Sequence, residues 1–515
     1  MSALLPLLLQ AMRQPPFYPH PVESPIQLLQ THISCILLTG PYAYKLKKPR
    51  NLGFLDFSSL EQRHHYLQEE LRLNQRGAPD LYLEVLPITQ QGDSFHLGRQ
   101  GAVVEYALKM RQFPQRCLLS QMLEQGEITE SLMQDLGRVV ASYHRSSNTD
   151  DHIRQFGTVA SVRQAFDENY AQTRDYIGGP QTEDQFTATQ AYTNHFFSER
   201  AEILEQRRQQ QRIREGHGDL HLGNICYWQN QILLFDCIEF NESFRCVDVM
   251  YDVAYGVMDL EDHDRSDLGN AYLNTYLEES GDWEGLQVLL LYLVRQAYVR
   301  AKVTSFQLND DQIPAAEQEE AHRTAADYYR LAWSYTQPRQ GQVFLMAGLS
   351  GSGKSSVGRW LARRINAIQI RSDAVRKHLG GRELHEQGGP DLYTPAMSER
   401  TYSRLIQLGL LLAKEGYRVI LDARFDQRQW REQVITGATQ GHLPLRILHC
   451  EAPPKVLQER LLARHPGQDI TDATLDLLPL QQASWETFSD RELPYVHTVS
   501  TDQNWQDQLQ SWLQA

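Results

Sequence analysis

Cysteine is scarce: six in 515 residues, at positions 35, 117, 226, 237, 246 and 450, with no C-x-x-C pair. That scatter argues against a disulfide framework and against a cysteine zinc site, and reduced thiols in the cytoplasm are the expectation. Long apolar runs are missing as well, and no stretch approaches the roughly 18–20 residues needed to span a bilayer. The opening MSALLPLLLQAMRQPP has a short apolar run without a basic leader or a small-residue cleavage site, so it reads as a packed helix rather than a signal peptide. An excess of positive charge is also lacking, since 50 Lys+Arg face 64 Asp+Glu for a net of −14. The deficit is uneven: residues 341–515 hold 20 basic and 19 acidic residues, which leaves 30 and 45 for the first 340. A broad nucleic-acid surface is therefore not expected, and the acidity suits a cationic substrate or a solubilising surface. What remains, 41% hydrophobic and 22% charged, is an ordinary globular composition, long enough for about two to four domains.

Against that background stands HGDLHLGNICYWQNQILLFDCIEF, from His217 to Phe240. It reads as a tight loop, a short strand pair and a second acidic position, with Asp219 five residues before Asn224 and Asp236 twelve residues further on. Kinase-type phosphoryl transfer needs this set: an Asp to receive the acceptor hydroxyl proton, then an Asn and an Asp to hold Mg²⁺ on the ATP phosphates. Upstream, Ile33–Leu38 and Ala43–Lys47 predict a hairpin turning at Gly40-Pro41. Alternation puts Tyr44 and Leu46 on one face and Lys45 and Lys47 on the other. Lys45 is the candidate to reach the nucleotide phosphates. A helix over Leu60–Gln75 carries Tyr66, Leu67, Glu70 and Leu73 on one face, which makes Glu70 the expected partner of Lys45, with Glu69 as the alternative. Strands over Leu81–Ile88 and Ala102–Met110 follow, then a hinge at MRQFP, a helix over Thr129–Arg145 and further helices to about Tyr335.

SYTQPRQGQ breaks the helical pattern, and 336–341 reads as a linker. Immediately after it, VFLMAGLSGSGKSSVGRWLARRI is strand, Gly-rich loop and helix, the context a phosphate loop requires. Its glycines let backbone N–H groups wrap a phosphate at a helix N-terminus. Gly348, Ser350, Gly351, Ser352, Gly353, Lys354, Ser355 and Ser356 are the candidate nucleotide-binding residues, with Lys354 on the β/γ-phosphates and the Ser355 hydroxyl on Mg²⁺. Strands over Val343–Met346, Ala367–Asp373, Tyr417–Phe425, Leu445–Pro453 and Pro494–Ser500, separated by helices, predict a five-stranded parallel sheet in a three-layer α/β/α domain. The fold class is α/β multidomain. Residues 1–335 form the first domain, with a small lobe over about 30–112 and a helical lobe over about 113–335, and residues 342–515 form the second.

HGDLHLGN followed by LLFDCIEF and DVMYDVA resembles the aminoglycoside phosphotransferase and choline kinase group, within the protein-kinase-like fold, over roughly residues 30–335. The resemblance implies that Asp219 is the catalytic base, Asn224 and Asp236 hold Mg²⁺, Lys45 contacts phosphates, Glu70 holds Lys45 and Asp252 braces the loop. One departure is the segment LTGPYAYK, which has a single glycine where protein kinases have a glycine-rich loop. The second domain is similar to small P-loop kinases such as gluconate, adenylylsulfate and polynucleotide 5′-hydroxyl kinases and to zeta-type toxins. That similarity implies an acceptor-orienting Asp373 and an anion-binding Arg376 in RSDAVR, a Walker B-like Asp422 in VILDARF, and phosphate-facing lid arginines Arg460 and Arg464 in RLLARH. Arg424 stands where those relatives have a smaller polar residue. The whole resembles fusions labelled as bifunctional phosphotransferase and ATP-binding (AAA) proteins. The expectation is an enzyme that uses ATP and Mg²⁺ at two sites to phosphorylate hydroxyl groups of small molecules, with no membrane partner. An ATP-dependent regulatory switch and a nucleic-acid 5′-hydroxyl kinase are the alternatives.

Overall fold

A turn at Gly40, whose φ of 98° suits glycine, reverses the chain between β2 (Ser34–Leu38) and β3 (Tyr42–Lys47) and starts the first sheet. The computed structural model describes residues 4–53, 55–98, 101–310, 313–463 and 469–514. With β1 (Gln27–Gln30), β4 (Tyr82–Gln91), β5 (Ser94–Leu97) and β6 (Ala102–Arg111), these strands make a six-stranded antiparallel sheet in the order β1-β2-β3-β6-β4-β5. The two edge strands escape the sequence reading because they are short and half polar, QLLQ and SFHL. Both faces of β3 are covered. Tyr44 and Leu46 join Leu8, Met12, Leu37 and Ile88 on one side, so the apolar N-terminal helix Leu4–Met12 packs on the sheet. Ala43 joins Leu67, Tyr82 and Leu108 on the other. The helix Leu60–Asn74 is capped by Ser59, whose Oγ accepts the Gln62 N–H at 3.1 Å, and it turns Leu67, Glu70 and Leu73 inward.

Four short strands build the loop region of the same unit: β7 (Ile213–Glu215), β8 (Ile225–Trp228), β9 (Gln231–Leu234) and β10 (Cys246–Asp248), paired as β7 with β10 and β8 with β9. The helix Val249–Asp262 follows.

The other sheet is parallel, in the order β12-β13-β11-β14-β15, from β11 (Gln342–Ala347), β12 (Ala367–Arg371), β13 (Arg418–Asp422), β14 (Leu445–Glu451) and β15 (Val496–Ser500). Helices cover both faces, and so the central strands read as unbroken apolar runs such as VFLMA. The core on one side joins Phe344, Met346, Ile420, Leu448 and Val499 to Val357 and Leu361 of the helix Lys354–Ile365. Spatial compactness divides the chain into Met1–Thr129, Ser142–Glu168 and Phe197–Asp259 as one unit, and Glu130–Ala141, Asn169–Phe196 and Leu260–Ala515 as the other. The helices Ser266–Ser280, Leu286–Phe306 and Ala315–Tyr335 thus group with the parallel sheet, although they precede the 336–341 segment in sequence. Among the described residues, no helix is long and apolar enough to cross a membrane.

Candidate active sites

Period-two alternation in β3 aims Lys45 and Lys47 at the same helix. Lys45 Nζ lies 2.6 Å from Glu70 Oε1 and 2.6 Å from Asp236 Oδ1. Glu70 is fully buried, while Glu69 turns out to Arg72, 2.8 Å away, which settles Glu70 as the Lys45 partner. Burial works against the charged Lys45, yet Asp236 and Glu70 hold its pKa well above the ordinary lysine value. Burial likewise pushes Asp236 up, and Lys45 overrides it and holds the carboxyl below its usual range. The Asp236 side chain is 46% exposed and Glu70 is 0%, so Asp236 is the carboxylate of this pair that a ligand can reach.

Lys47 carries a second ion pair that the sequence reading passed over. Its Nζ meets Glu70 Oε2 at 2.7 Å and Glu239 Oε1, and both Lys47 and Glu239 are buried. Lys47 shares a face with Lys45, and Glu239 is the second charge, after Asp236, in the otherwise apolar run LLFDCIEF. Those were the available signals.

Asp219, Asn224 and Asp236 are set by a loop with little freedom. Asp252, fully buried, accepts the backbone N–H groups of His217 at 2.8 Å and Gly218 at 2.9 Å, and lies 3.2 Å from His144 Nε2. Burial would raise the Asp252 carboxyl, but the hydrogen bond and charge of His144 help to hold it below the ordinary value. Its bracing position is the one the resemblance implied. Gly218 has φ 83°, and a Cβ there would come within 2.5 Å of Phe244 O. Burial depresses the His217 pKa, so its ring is neutral. Nε2 therefore donates to Phe235 O at 2.9 Å, and Nδ1 is left to accept the Asp219 N–H at 3.4 Å. One histidine thus ties the Asp219 loop to the residue before Asp236. Asn224 Nδ2 donates to Asp219 O at 3.0 Å and to Asp219 Oδ2 at 3.2 Å. Tyr82 Oη accepts the Asp236 N–H at 3.1 Å, and Asp236 itself takes φ 61°.

In the second unit the phosphate loop joins β11 to the helix Lys354–Ile365. Gly348, Gly351 and Gly353 have φ of 140°, 82° and 84°. A Cβ on Gly348 would stand 2.3 Å from Cys450 O. Ser350 N–H donates to Gln481 Oε1 at 3.0 Å, Ser352 is buried in the loop, and Ser355 and Ser356 occupy the first helical turn. Lys354 Nζ donates to Leu349 O at 2.8 Å. Burial pulls its pKa below the ordinary lysine value, against Asp422 and Asp373. At the carboxyl end of β13, buried Asp422 accepts from Gln369 Nε2 at 2.9 Å. Burial pushes the Asp373 carboxyl up, Arg371 opposes, and Asp422 adds to the rise. Arg376 is buried with Nη1 on Leu392 O at 2.8 Å and on Ser398 Oγ at 3.2 Å. Arg424 Nη1 lies 3.5 Å from Asp426 Oδ2.

Arg460, the expected lid arginine, is held by the phosphate loop and by Thr501. It donates to Gly351 O at 3.2 Å, Thr501 Oγ1 at 2.9 Å and Thr501 O at 2.7 Å, gripping the phosphate loop from outside. The helix Pro454–Leu462 is short, and β15 brings Thr501 within its reach. Arg464 lies outside the described residues.

Two α/β folds define the class, and a family model matches within each of the two stretches. Residues 58–289 match the model of the phosphotransferase enzyme family, and residues 343–487 match that of an AAA domain. The chain joins an aminoglycoside-phosphotransferase-like domain to a P-loop kinase-like domain. An uncharacterized protein of Mycobacterium tuberculosis (strain ATCC 25618 / H37Rv) is 29% identical over 477 residues, 91% of this chain and 93% of its own. The structure of the Mycobacterium tuberculosis APS kinase in complex with AMPPNP and APS is 21% identical, covering 34% of this chain and 98% of its own at a TM-score of 0.26. An amicoumacin kinase in complex with AMP-PNP, Ca²⁺ and Ami is 12% identical, covering 64% of this chain and 94% of its own at a TM-score of 0.36.

Among the described residues, no three His, Cys, Asp or Glu side chains gather as a protein-only metal cage. The donors present suit Mg²⁺ differently, because that ion is commonly held by one or two carboxylates together with substrate phosphates. Asp236 with Asn224, and Asp422 with Ser355, are such partial sets.

Proposed function

We propose that the chain transfers the γ-phosphoryl group of ATP to hydroxyl groups of small molecules at two separate sites. The observation that carries the reading is Lys45, bound at 2.6 Å to both Glu70 and Asp236. This is the ion pair that kinase-type transfer needs in place beside a reachable carboxylate. Lys45, charged at neutral pH, offsets the negative charge of the phosphates. Asp219 takes the acceptor proton as the acceptor oxygen bonds to phosphorus and the bond to ADP breaks. Asn224, which donates to Asp219 Oδ2, fixes that carboxylate's orientation. Asn224 and Asp236 would hold Mg²⁺ here, and Ser355 and Asp422 would hold it at the second site, where the ion supplies charge neutralisation of the phosphates.

At the second site Lys354 and the loop amides bind the phosphates. Asp373, its carboxyl raised by burial, is the acceptor of the hydroxyl proton. Arg376 takes an anionic group of the acceptor.

The test is mass spectrometry of products formed from a metabolite extract with ATP, comparing wild type with Asp219→Asn and Lys354→Ala. Each variant is expected to lose a different phosphorylated product, with ATP turnover at its site falling by about 10²–10⁴. ATP turnover unchanged in the double variant would overturn the proposal.

A further inference from the structure

β12 ends the parallel sheet, with β13 on one side, and its other edge meets asparagine side chains of the helix Ser266–Ser280. Asn274 Oδ1 accepts the Gln369 N–H at 2.7 Å, and Asn274 Nδ2 donates to Ala367 O at 3.0 Å. A carboxamide carries the same donor and acceptor as a peptide group, so Asn274 stands in for the peptide of a missing neighbour strand. Asn270 Nδ2 adds bonds to Ala367 O at 2.9 Å and Asn366 Oδ1 at 3.0 Å. Gln369, fixed in this way, extends its own side chain to Asp422 Oδ2 at 2.9 Å and to Ser355 O at 3.4 Å.

One turn beyond Asn274, Glu278 Oε1 lies 3.5 Å from Arg371 Nη1. Arg371 also meets Asp469 at 2.5 Å and is 8% exposed, two residues before Asp373. The carbonyl of Glu278 accepts from His378 Nε2 at 2.7 Å, which anchors the helix Ser372–Leu379 that carries Asp373 and Arg376.

We infer that Asn274 and Glu278 are positioning residues of the P-loop site: Asn274 sets Gln369 and through it Asp422, and Glu278 sets Arg371 beside Asp373. Both lie within the 58–289 stretch that matches the phosphotransferase family. The second site is therefore completed by residues from the sequence of the first domain. The inference rests on the phosphotransfer reading above.

The test uses the full chain carrying Asp219→Asn, so that only the P-loop site turns over, with MgATP as substrate and water as acceptor. Glu278→Gln and Asn274→Ala are each expected to lower kcat about tenfold while KM for ATP stays within about threefold, the scale of loss when an orienting partner is removed. Glu278→Asp should restore most of kcat. Asn270→Ala removes the bonds to Asn366 and Ala367 and the 3.1 Å bond from Asn274 Nδ2 to Asn270 Oδ1, but leaves Asn274 Oδ1 on the Gln369 N–H. It should lower the thermal midpoint and reduce kcat less than Asn274→Ala does. Wild-type kcat in Glu278→Gln, or an equal loss of kcat in Asn270→Ala, overturns the inference. Lys354-independent hydrolysis in the parent would instead overturn the phosphotransfer reading. In that event Mg²⁺-supported binding of a fluorescent ATP analogue decides: a rise of about tenfold in the Mg²⁺ needed by Asn274→Ala sustains the inference, and no change overturns it.

Discussion

Lys47 Nζ sits 2.7 Å from Glu70 Oε2, on the carboxylate whose other oxygen meets Lys45. Glu70 thus serves two buried lysines, and Glu239 balances the second. Removing Lys47 leaves Glu239 and half of Glu70 buried without a counter-ion. Lys47→Met is expected to destabilise the antiparallel unit by about 3–5 kcal/mol, read as the shift of its urea unfolding transition. Lys45→Met should cost less, because Asp236 can turn to water. Equal midpoints for the two variants would show that Glu239 is not held in this way.

Stability should also carry the signature of His217. Burial depresses its pKa below the ordinary 6.5. As pH falls through about 6.5 the unfolded chain gains a proton that the folded chain does not, so stability is full above that value and drops toward the folded-state pKa. His217→Gln cannot titrate, and its thermal midpoint should fall less between pH 7 and pH 5 than that of wild type. Parallel pH curves for the two proteins would sink this assignment.

Gly348 takes φ 140° with Cys450 O in the space of a Cβ. Gly348→Ala is expected to strain the loop by about 1–3 kcal/mol and to weaken ATP-analogue binding, measured by calorimetry, without affecting the Asp219-dependent activity. Wild-type affinity in this variant would mean that the loop adjusts freely.

Arg460 grips Gly351 O and Thr501. If its work is to hold the loop, Arg460→Ala raises the Kd for MgATP about tenfold, with the same rise in Arg460→Lys, which cannot span both acceptors. A fall in kcat at unchanged Kd would restore the phosphate-facing role expected from sequence.

Both folds were legible where the pattern was strong. The five parallel strands and the Gly348–Ser355 loop fall within a few residues of the expected bounds, because buried apolar runs and glycine-rich turns are local signals. Helical period favoured Glu70 but left Glu69 open, and the contacts of Lys45 with Glu70 and of Arg72 with Glu69 separate them. The partners of a charge are a matter of which distant elements meet, and there the sequence was silent. Lys47 with Glu239, Gln369 with Asn274 and Arg460 with Thr501 join residues 192, 95 and 41 positions apart. For Arg460, spacing gives a helix face, and the position of Thr501 after β15 determines one thing that face meets.

The carboxamides along β12 have a consequence for solubility. An open strand edge is a template for the edge of another molecule, and proteins guard such edges. With Asn270 and Asn274 seated on it, β12 is withheld from that pairing in the full chain. A shorter chain starting at Gln342 would bare it, and self-association through β12 is the expected result.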